Sequence, residues 1–239
     1  MHRISATPGG WNPQSEGVIF LEQTPAPIVL LTAADTDIQT IAAAVSKLPV
    51  GFPALRVANL LQLQQQLTID TYAEEVLEKA QVIILRLLGG RAYWSYGLEV
   101  VQETVQKTGA ALIVIPGDDR TDPELINYST VALATVNQLW RYFTEGGVEN
   151  IIHALQFVCD RTINSTYNPP SPQNVPRIGL YPYTSITDAP RVGILFYRAH
   201  YLAGNTIPIE ALCQALTARN LQAIPIFVSS LRDLEVQGE

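Results

Sequence analysis

The sequence contains 239 residues, of which 47% are hydrophobic and only 15% are charged, whereas about a quarter of the residues in an average soluble domain are charged. This low charge indicates a surface that is partly covered by other protein. The 15 basic and 22 acidic residues give a net charge of −7. Because no cluster of Lys or Arg interrupts this acidic balance, the composition argues against a nucleic acid partner.

The two cysteines, Cys159 and Cys213, are far apart in the sequence, and neither belongs to a C-x-x-C pair. This pattern predicts neither a zinc site nor a disulfide framework, and it favours a reducing compartment. No run approaches the roughly 18 apolar residues of a membrane span, and the N-terminus lacks the apolar core of a signal peptide. The sequence therefore predicts a cytoplasmic protein without a transmembrane segment.

Residues 1–26 are rich in Pro and Gly and predict an N-terminal arm. Beyond the arm, apolar runs typical of buried strands alternate with segments of helical periodicity. The predicted strands are Pro27–Thr32, Ala54–Ala58, Val82–Leu87 and Ala110–Ile115, and the predicted helices are Asp37–Lys47, Thr71–Ala80 and Ala92–Thr108. This alternation predicts a doubly wound, flavodoxin-like or Rossmann-like α/β domain whose parallel sheet has the strand order 2-1-3-4.

Two further helices, Thr130–Phe143 and Gly147–Arg161, complete the first predicted domain, residues 1–161. The polar stretch 162–176 has four prolines and predicts an interdomain linker. The remaining predicted elements are the strands Arg177–Tyr181, Arg191–Tyr197 and Ala223–Val228 and the helix Pro208–Asn220. Because a few parallel strands with one crossover helix cannot enclose a core, we interpret residues 177–239 as the truncated start of a second α/β domain.

Several catalytic signatures are absent from the sequence. It has neither a G-x-x-x-x-G-K-[ST] phosphate loop nor a G-x-G-x-x-G fingerprint, so the chain itself is not predicted to bind ATP or a dinucleotide. The three histidines, His2, His153 and His200, lie in an arm, a helix and a loop, which argues against a shared metal site. We therefore predict no catalytic residue and no metal site in this chain.

The segment GGRAYWSY follows the most apolar predicted strand, at the sheet edge where open α/β proteins bind ligands. Gly89 and Gly90 allow a ligand to approach closely, and Arg91, Trp94 and Tyr96 supply a cation and flat aromatic rings. These residues suit a large, planar, carboxylated molecule through stacking and charge-assisted hydrogen bonds. The alternative, which a glycine pair alone favours, is a tight turn whose aromatic residues cap the sheet or contact a neighbouring domain.

Two polar clusters follow other predicted strands. The turn Asp118–Arg120 has side chains that can hold a cation, although such a cluster is more often a solvated turn. Tyr197, Arg198 and His200 belong to the densest polar and aromatic segment of the second predicted domain. Burying such groups is costly unless each finds a partner, so this segment either faces a ligand cleft or inserts into another domain.

Seven blocks of the sequence resemble, in the same order, the amino-terminal part of the large subunit of cobaltochelatase, the CobN type. They are also similar, more distantly, to the large (H) subunit of magnesium chelatase. The blocks are PGGW, EQTPAPIVLLTAADTD, LPVGFPALRVANLLQL, LLGGRAYWSYG, IPGDD with DPELINYSTV, LWRYFTEGGVENI, and RVGILFYRAHYLAGNTIPIEALCQALTARNLQAIPIFVSSLRD. Together they cover practically the whole chain.

The resemblance implies an ATP-dependent enzyme, a ligase that forms metal–nitrogen bonds. Such an enzyme inserts cobalt, or magnesium in the other branch, into a corrin or porphyrin macrocycle during cobalamin or chlorophyll biosynthesis. It implies that the large subunit binds the tetrapyrrole and that AAA+ partner subunits bind and hydrolyse ATP. The rest of the large subunit is then a partner of this chain, which alone is expected to be inactive. The alternative is a free-standing α/β binding or interaction module without catalytic activity.

Overall fold

The computed structural model describes residues 20–184 and 188–232. Within these ranges the chain forms two compact units. The first unit consists of residues 20–34 and 53–136, and the second of residues 35–52, 137–184 and 188–232. No helix in the described ranges combines the length and the apolar composition that a bilayer span requires.

The first unit contains a four-stranded sheet in the order β2-β1-β3-β4 with all strands parallel, which is the predicted order. Its strands are β1 (Ile28–Thr32), β2 (Leu55–Asn59), β3 (Val82–Leu87) and β4 (Ala111–Pro116). Every residue of β1 is buried, and so is every residue of β3 except Arg86. Burial on both faces is the rule for central strands of parallel sheets. The predicted α/β class with a parallel sheet is confirmed.

The helices of the first unit connect these strands. They are α2 (Gln66–Glu75), α3 (Ser95–Thr108) and α4 (Pro123–Ile126), with single 3₁₀ turns at Leu60–Leu63, Leu77–Lys79 and Arg91–Tyr93. The predicted limits of α2, Thr71–Ala80, were wrong. The buried face of the helix already begins at Thr68 and Ile69, and the chain tightens into a 3₁₀ turn after Glu75. α3 ends at Gly109, which has a φ of 75° and forms a left-handed C-cap.

Both edges of this sheet are covered by other parts of the first unit. Next to β2, Nε2 of Gln23 donates a hydrogen bond of 3.1 Å to the carbonyl oxygen of Val57. Next to β4, the amide of Leu112 donates to Oγ1 of Thr130 at 2.8 Å, and the amide of Thr130 donates to the carbonyl of Leu112 at 2.9 Å. The predicted arm, residues 1–26, is described only from residue 20.

The second unit combines helices from distant parts of the chain. Its helices are α1 (Asp35–Val45), most of α5 (Leu133–Glu145), α6 (Val148–Thr162), α7 (Arg198–Leu202) and α8 (Ile207–Thr217). α1 packs against α6, with Thr40, Ile41 and Ala44 buried on α1. Because Gly146 and Gly147 have φ angles of 70° and 89°, the chain can turn sharply between α5 and α6.

The sheet of the second unit has the order β5-β7-β6. Its strands are β5 (Ile178–Leu180), β6 (Arg191–Tyr197) and β7 (Gln222–Val228). β6 and β7 are parallel and are connected through α8, as a parallel pair requires. β5 is antiparallel to β7, so the expectation of parallel strands only was wrong for this edge strand. Ile209 and Cys213 of α8 are buried together with Ala223 of β7.

The segment that follows α6, residues 163–177, is irregular but is held by hydrogen bonds. Asp160 accepts bonds from Oγ of Ser165 at 2.7 Å and from the amides of Tyr167 and Asn168 at 2.8 and 2.7 Å. Further along, the phenol of Tyr142 donates to the carbonyl of Pro170. The predicted domain limits, 1–161, 162–176 and 177–239, stay a prediction.

Replacing Asp160 is expected to release this segment. The hydrogen bonds from residues 165–168 lower the pKa of the Asp160 carboxyl even though partial burial, the largest single effect, acts to raise it. Because the folded-state pKa lies below the unfolded value, the stabilisation is present above that unfolded value and is lost as pH falls through the folded pKa. We expect subtilisin at neutral pH to cleave within residues 164–169 in Asp160→Ala but not in the parent chain.

Ser165→Ala is the matched control for this experiment, since it removes one donor to Asp160 and keeps both backbone donors. It should remain close to the parent chain in its cleavage rate. Equal resistance of Asp160→Ala and the parent would show that the carboxylate does not order the segment. The fragments are identified by mass spectrometry.

Candidate functional site

The first predicted site lies at the carboxyl end of β3. Gly89 and Gly90 have φ angles of 92° and 77°, a conformation that other residues rarely adopt. Together with Pro116, Asp118 and Asp122 near the end of β4, they line a cavity of about 340 Å³. The glycine pair therefore forms a tight turn and also one wall of a cavity at the carboxyl edge of the sheet.

The polar groups around this cavity are engaged with the backbone of the turn. Oδ1 of Asp118 accepts a bond of 3.1 Å from the amide of Arg120, and Oδ1 of Asp122 accepts one of 3.1 Å from the amide of Leu125, which caps α4. The lining of the cavity carries two acidic side chains, Asp118 and Asp122, and one basic side chain, Arg120. This balance gives an anionic ligand no net attraction at the cavity itself.

Arg91 and Tyr96 keep exposed side chains beside this cavity. Arg91 is about half exposed, lies 3.9 Å from a carboxylate oxygen of Glu124 and stands over the ring of Tyr128 at 5.9 Å. An exposed ion pair of this kind stabilises the fold by at most about 1 kcal/mol. The phenol of Tyr96 donates to Asp70 at 2.9 Å, and this hydrogen bond raises the pKa of Tyr96.

Trp94 occupies a different environment from its neighbours. Only 5% of its surface is exposed, and it belongs to the main core of the first unit. Its indole N–H donates a bond of 3.0 Å to the carbonyl of Leu63, and its ring lies directly over Gly97. The predicted stacking face is therefore covered in this structure, and the ring anchors the turn to the core, as the structural alternative proposed.

The second predicted site follows β6, and Arg198 lies at its centre. Its guanidinium donates hydrogen bonds of 2.8, 2.7 and 3.3 Å to the carbonyl oxygens of Pro176, Val175 and Glu145. Partial burial lowers the pKa of Arg198, against the opposing effect of Glu145. The side chain is thus a brace that holds the irregular segment and the end of α5 together.

The residues on either side of Arg198 divide into exposed and packed groups. Tyr197 is 61% exposed, and His200 is also exposed. Tyr201, in contrast, stacks on Phe227 with ring centroids 4.3 Å apart and planes 4° apart. Tyr197 and His200 therefore remain available for a ligand or partner, whereas Arg198 and Tyr201 are engaged within the second unit.

The second unit contains a cavity of about 380 Å³ that was not predicted from the sequence. Gly146 and Gly147 at the start of α6, Asn150 and Tyr181 are among its lining residues. Asn150 is only 2% exposed and is fully hydrogen-bonded. The signal for this cavity in the sequence was the glycine pair itself, which lies between two predicted helices. In the structure both glycines have a positive φ.

A hydrogen-bonded group of side chains closes one side of this second cavity. The phenol of Tyr181 donates to a carboxylate oxygen of Glu210 at 2.5 Å and also lies 3.1 Å from the hydroxyl of Thr206. Accepting the bond from Tyr181, and a second from Thr206, lowers the pKa of Glu210. Burial, followed by the bond to Glu210, raises the pKa of Tyr181. Both groups consequently keep their ordinary charge states at neutral pH.

Similarity to known proteins identifies the family of the chain. Residues 140–239 match the family model described as CobN/Magnesium Chelatase. The chain is 37% identical over 246 aligned residues to the aerobic cobaltochelatase subunit CobN of Pseudomonas aeruginosa, and 36% identical over 252 to that of a Sinorhizobium species. Residues 140–239 form a CobN/magnesium chelatase domain, and the chain as a whole is similar to the CobN-type cobaltochelatase subunit.

A solved structure of the CobN/magnesium chelatase family supports the same assignment. The catalytic subunit of cobaltochelatase from Mycobacterium tuberculosis superposes with a TM-score of 0.72 and 30% sequence identity over 88% of this chain. The chain spans only 17% of the length of that structure and 20% of the length of each CobN relative. Conversely, 98% of the chain is aligned to each of the two CobN relatives. The recognition of a CobN-type chain is confirmed.

The residues matched by the CobN/magnesium chelatase model include the second predicted site and, apart from Lys47, the residues that line the larger cavity. Gly89–Tyr96 lies outside the matched residues. Among the residues that the structure describes, no three His, Cys, Asp or Glu side chains are close enough to hold a metal ion. Burial raises the pKa of the Cys159 thiol to about 12 and raises that of Cys213. Both thiols are therefore protonated at neutral pH.

Proposed function

We propose that the chain is part of the large subunit of a chelatase that inserts cobalt into a corrin-type tetrapyrrole. The observation that carries this proposal is the alignment of 98% of the chain with two cobaltochelatase subunits at 36–37% identity. The similar solved structure is also a cobaltochelatase subunit. Since all three relatives carry that name, cobalt is favoured over magnesium as the metal substrate.

The complete enzyme is proposed to depend on ATP and to act in the cytoplasm, in cobalamin biosynthesis. ATP is bound by AAA+ partner subunits in this proposal, which is consistent with the absence of a phosphate loop from the sequence. The remaining four-fifths of the large subunit then supplies the metal-insertion site. The role of the present chain is to form a scaffold and part of the surface that contacts the tetrapyrrole or a partner.

The exposed members of the predicted sites are the ones proposed to contact that ligand or partner. Arg91 and Tyr96 beside the first cavity, and Tyr197 and His200 after β6, keep exposed side chains. Gly89 and Gly90 shape the backbone of the first site. Trp94 and Arg198 are assigned to the support of these two loops, because Nε1 of Trp94 and both Nε and Nη2 of Arg198 donate to backbone carbonyls.

An insertion assay tests the proposed function. Residues 1–239 alone are expected to leave a corrin-type substrate unchanged in the presence of cobalt, with or without ATP. A polypeptide that continues into the rest of a CobN-type large subunit, mixed with its ATPase subunits, is expected to produce the cobalt complex. The cobalt-dependent change in the absorption spectrum of the macrocycle measures both reactions.

Two results would contradict this proposal. Steady insertion of cobalt by residues 1–239 alone would place the chemistry in this chain. A reading frame that ends near Glu239, with no longer polypeptide in the cell, would favour the free-standing interaction module instead. Omitting ATP from the complete mixture is the control that tests the energy requirement separately.

A further inference from the structure

The two faces of the second unit's sheet differ in their surroundings. Ile194 and Phe196 of β6 point toward the buried cluster of Ile209 and Cys213 on α8. Successive residues of a strand point to opposite faces, so Leu195 lies on the other face, where it is 58% exposed. Arg191, Gly193 and Tyr197, on the same face of β6, are also exposed, whereas Val228 of β7, paired in register with Tyr197, is buried.

The exposed face carries a row of apolar side chains. Ile226 of β7 is paired in register with Leu180 of β5 on one side and with Leu195 of β6 on the other. Leu180 is 71% exposed. Tyr197, two positions beyond Leu195, shares the face of β6 with it and is 61% exposed. We call Leu180, Leu195, Tyr197 and Ile226 the apolar row. The central strands of the first unit's sheet, β1 and β3, are by comparison buried on both faces.

The outer edge of β6 is open as well. Within the described residues, the strand is paired only with β7, and its seven residues contain neither proline nor an acidic side chain. A long, regular edge is normally covered, charged or bulged, since its free N–H and C=O groups invite a further strand. In the first unit's sheet, by contrast, both edges are covered by hydrogen-bonded groups of Gln23 and Thr130.

The topology indicates which kind of chain fits this surface. β7 already has β5 and β6 as neighbours, and β5 is a short antiparallel strand that ends the sheet on its side. A further parallel strand can therefore join only at the outer edge of β6. Parallel strands require crossover helices, and doubly wound sheets carry such helices on both faces. A strand with its helix would cover the edge of β6 and the apolar row together.

We propose that the apolar row and the outer edge of β6 form the surface on which the remainder of the large subunit docks, by adding a parallel strand to β6 and a helix over Leu195 and Tyr197. This inference rests on the proposed function, in which the chain is a fifth of a longer subunit. The relatives supply the required length of polypeptide, since the chain covers 20% of each. The low charge of the chain, 15%, agrees with an apolar partner.

Hydrogen exchange of the β6 amides provides the direct test. In residues 1–239, the amides of Arg191–Tyr197 that point away from β7 should exchange rapidly because nothing pairs with them. In the longer large-subunit polypeptide, they should exchange at least about tenfold more slowly. The β1 amides, which are paired on both sides in the described structure, serve as the internal reference and should not change.

Matched substitutions test the apolar row separately. Leu195→Glu and Leu67→Glu replace leucines of similar exposure, 58% and 54%. Both variants should leave the Tm of residues 1–239 within about 2 °C of the parent, because exposed positions contribute little to stability. In the longer polypeptide, only Leu195→Glu should lower the Tm and restore rapid exchange in β6. Leu67 lies on α2 of the first unit and does not belong to the apolar row.

Three outcomes would overturn the inference. The first is unchanged exchange of β6 in the longer polypeptide, and the second is equal behaviour of the two glutamate variants there. The third is protection of the β6 amides in residues 1–239 that increases with protein concentration. Together with self-association in sedimentation, this result would show that a second copy of the chain occupies the surface. None of these measurements uses metal insertion, so the two proposals can fail separately. If the insertion assay failed while β6 was protected in the longer polypeptide, the proposed chemistry would be rejected and the docking surface would still be supported.

Discussion

Gly97→Ala is expected to lower the free energy of unfolding of the first unit by about 3 kcal/mol, the upper end of typical overpacking effects. A Cβ atom at this position would lie 2.1 Å from Cε2 and 2.2 Å from Cζ2 of Trp94. The indole cannot move away easily because it is buried in the core and bonded to Leu63. The intrinsic preference of a helix for Ala over Gly, about 1 kcal/mol, is too small to compensate.

A double-mutant cycle identifies the cause of this loss. Trp94→Leu alone should destabilise the unit by about 3 kcal/mol, as large-to-small core substitutions do, but it removes the atoms that the new Cβ would meet. Adding Gly97→Ala to Trp94→Leu should therefore cost almost nothing, giving a coupling energy of about 2–3 kcal/mol. Gly193→Ala is the control, since a Cβ there has no atom within 4 Å. Additive losses in urea unfolding would show that the ring is not the obstacle.

Asn150→Asp is expected to destabilise the second unit by about 3 kcal/mol at pH 7, because it buries a charge that faces two acceptors. Nδ2 of Asn150 donates to the carbonyls of Gly146 and Gln173 at 2.7 and 2.8 Å. Oδ1 accepts the amide of Gln173 at 2.8 Å. A carboxylate keeps only the last of these bonds and brings its second oxygen against both carbonyls.

The loss caused by Asn150→Asp should depend on pH. Burial beside carbonyl oxygens disfavours the charged form, so the pKa of the new carboxyl in the folded state lies above its unfolded value. The penalty is then present above the folded pKa and decreases as pH falls toward the unfolded value. Urea unfolding at pH 7 and at about pH 5 should show the difference from the parent shrinking. Asn205→Asp, at an exposed position, should show no such change, and a pH-independent loss in Asn150→Asp would argue against a buried charge.

The strands of this fold could be predicted because their signal is local. The limits of β6, Arg191–Tyr197, and of β3, Val82–Leu87, agree with the prediction, since each is an apolar run that ends at a change of composition. The start of α2 could not be predicted as well. Thr68 and Ile69 are buried by contacts with the core of the first unit, and no pattern of capping residues near Gln66 indicates that burial.

The candidate sites were less predictable than the fold, for a related physical reason. The sequence showed that aromatic and basic residues follow β3 and β6, but not where these side chains would find partners. Trp94 is buried because Leu63, 31 positions away, offers a carbonyl oxygen and because Gly97 leaves room for the ring. The acceptors of Arg198 lie 22 to 53 positions earlier in the chain. Such distant backbone groups are visible only once the chain is folded.

The packing of α1 on α6 has a consequence for the synthesis of the protein. Lys47, just after α1, is paired with Glu149 at the start of α6, and these residues are 102 positions apart. At about 5–20 residues per second, a ribosome needs roughly 5–20 seconds to make the intervening chain. During that interval Ile41 and Ala44 lack the helix that covers them in the folded second unit, whereas all four strands of the first unit's sheet, within residues 28–116, are synthesised before α6.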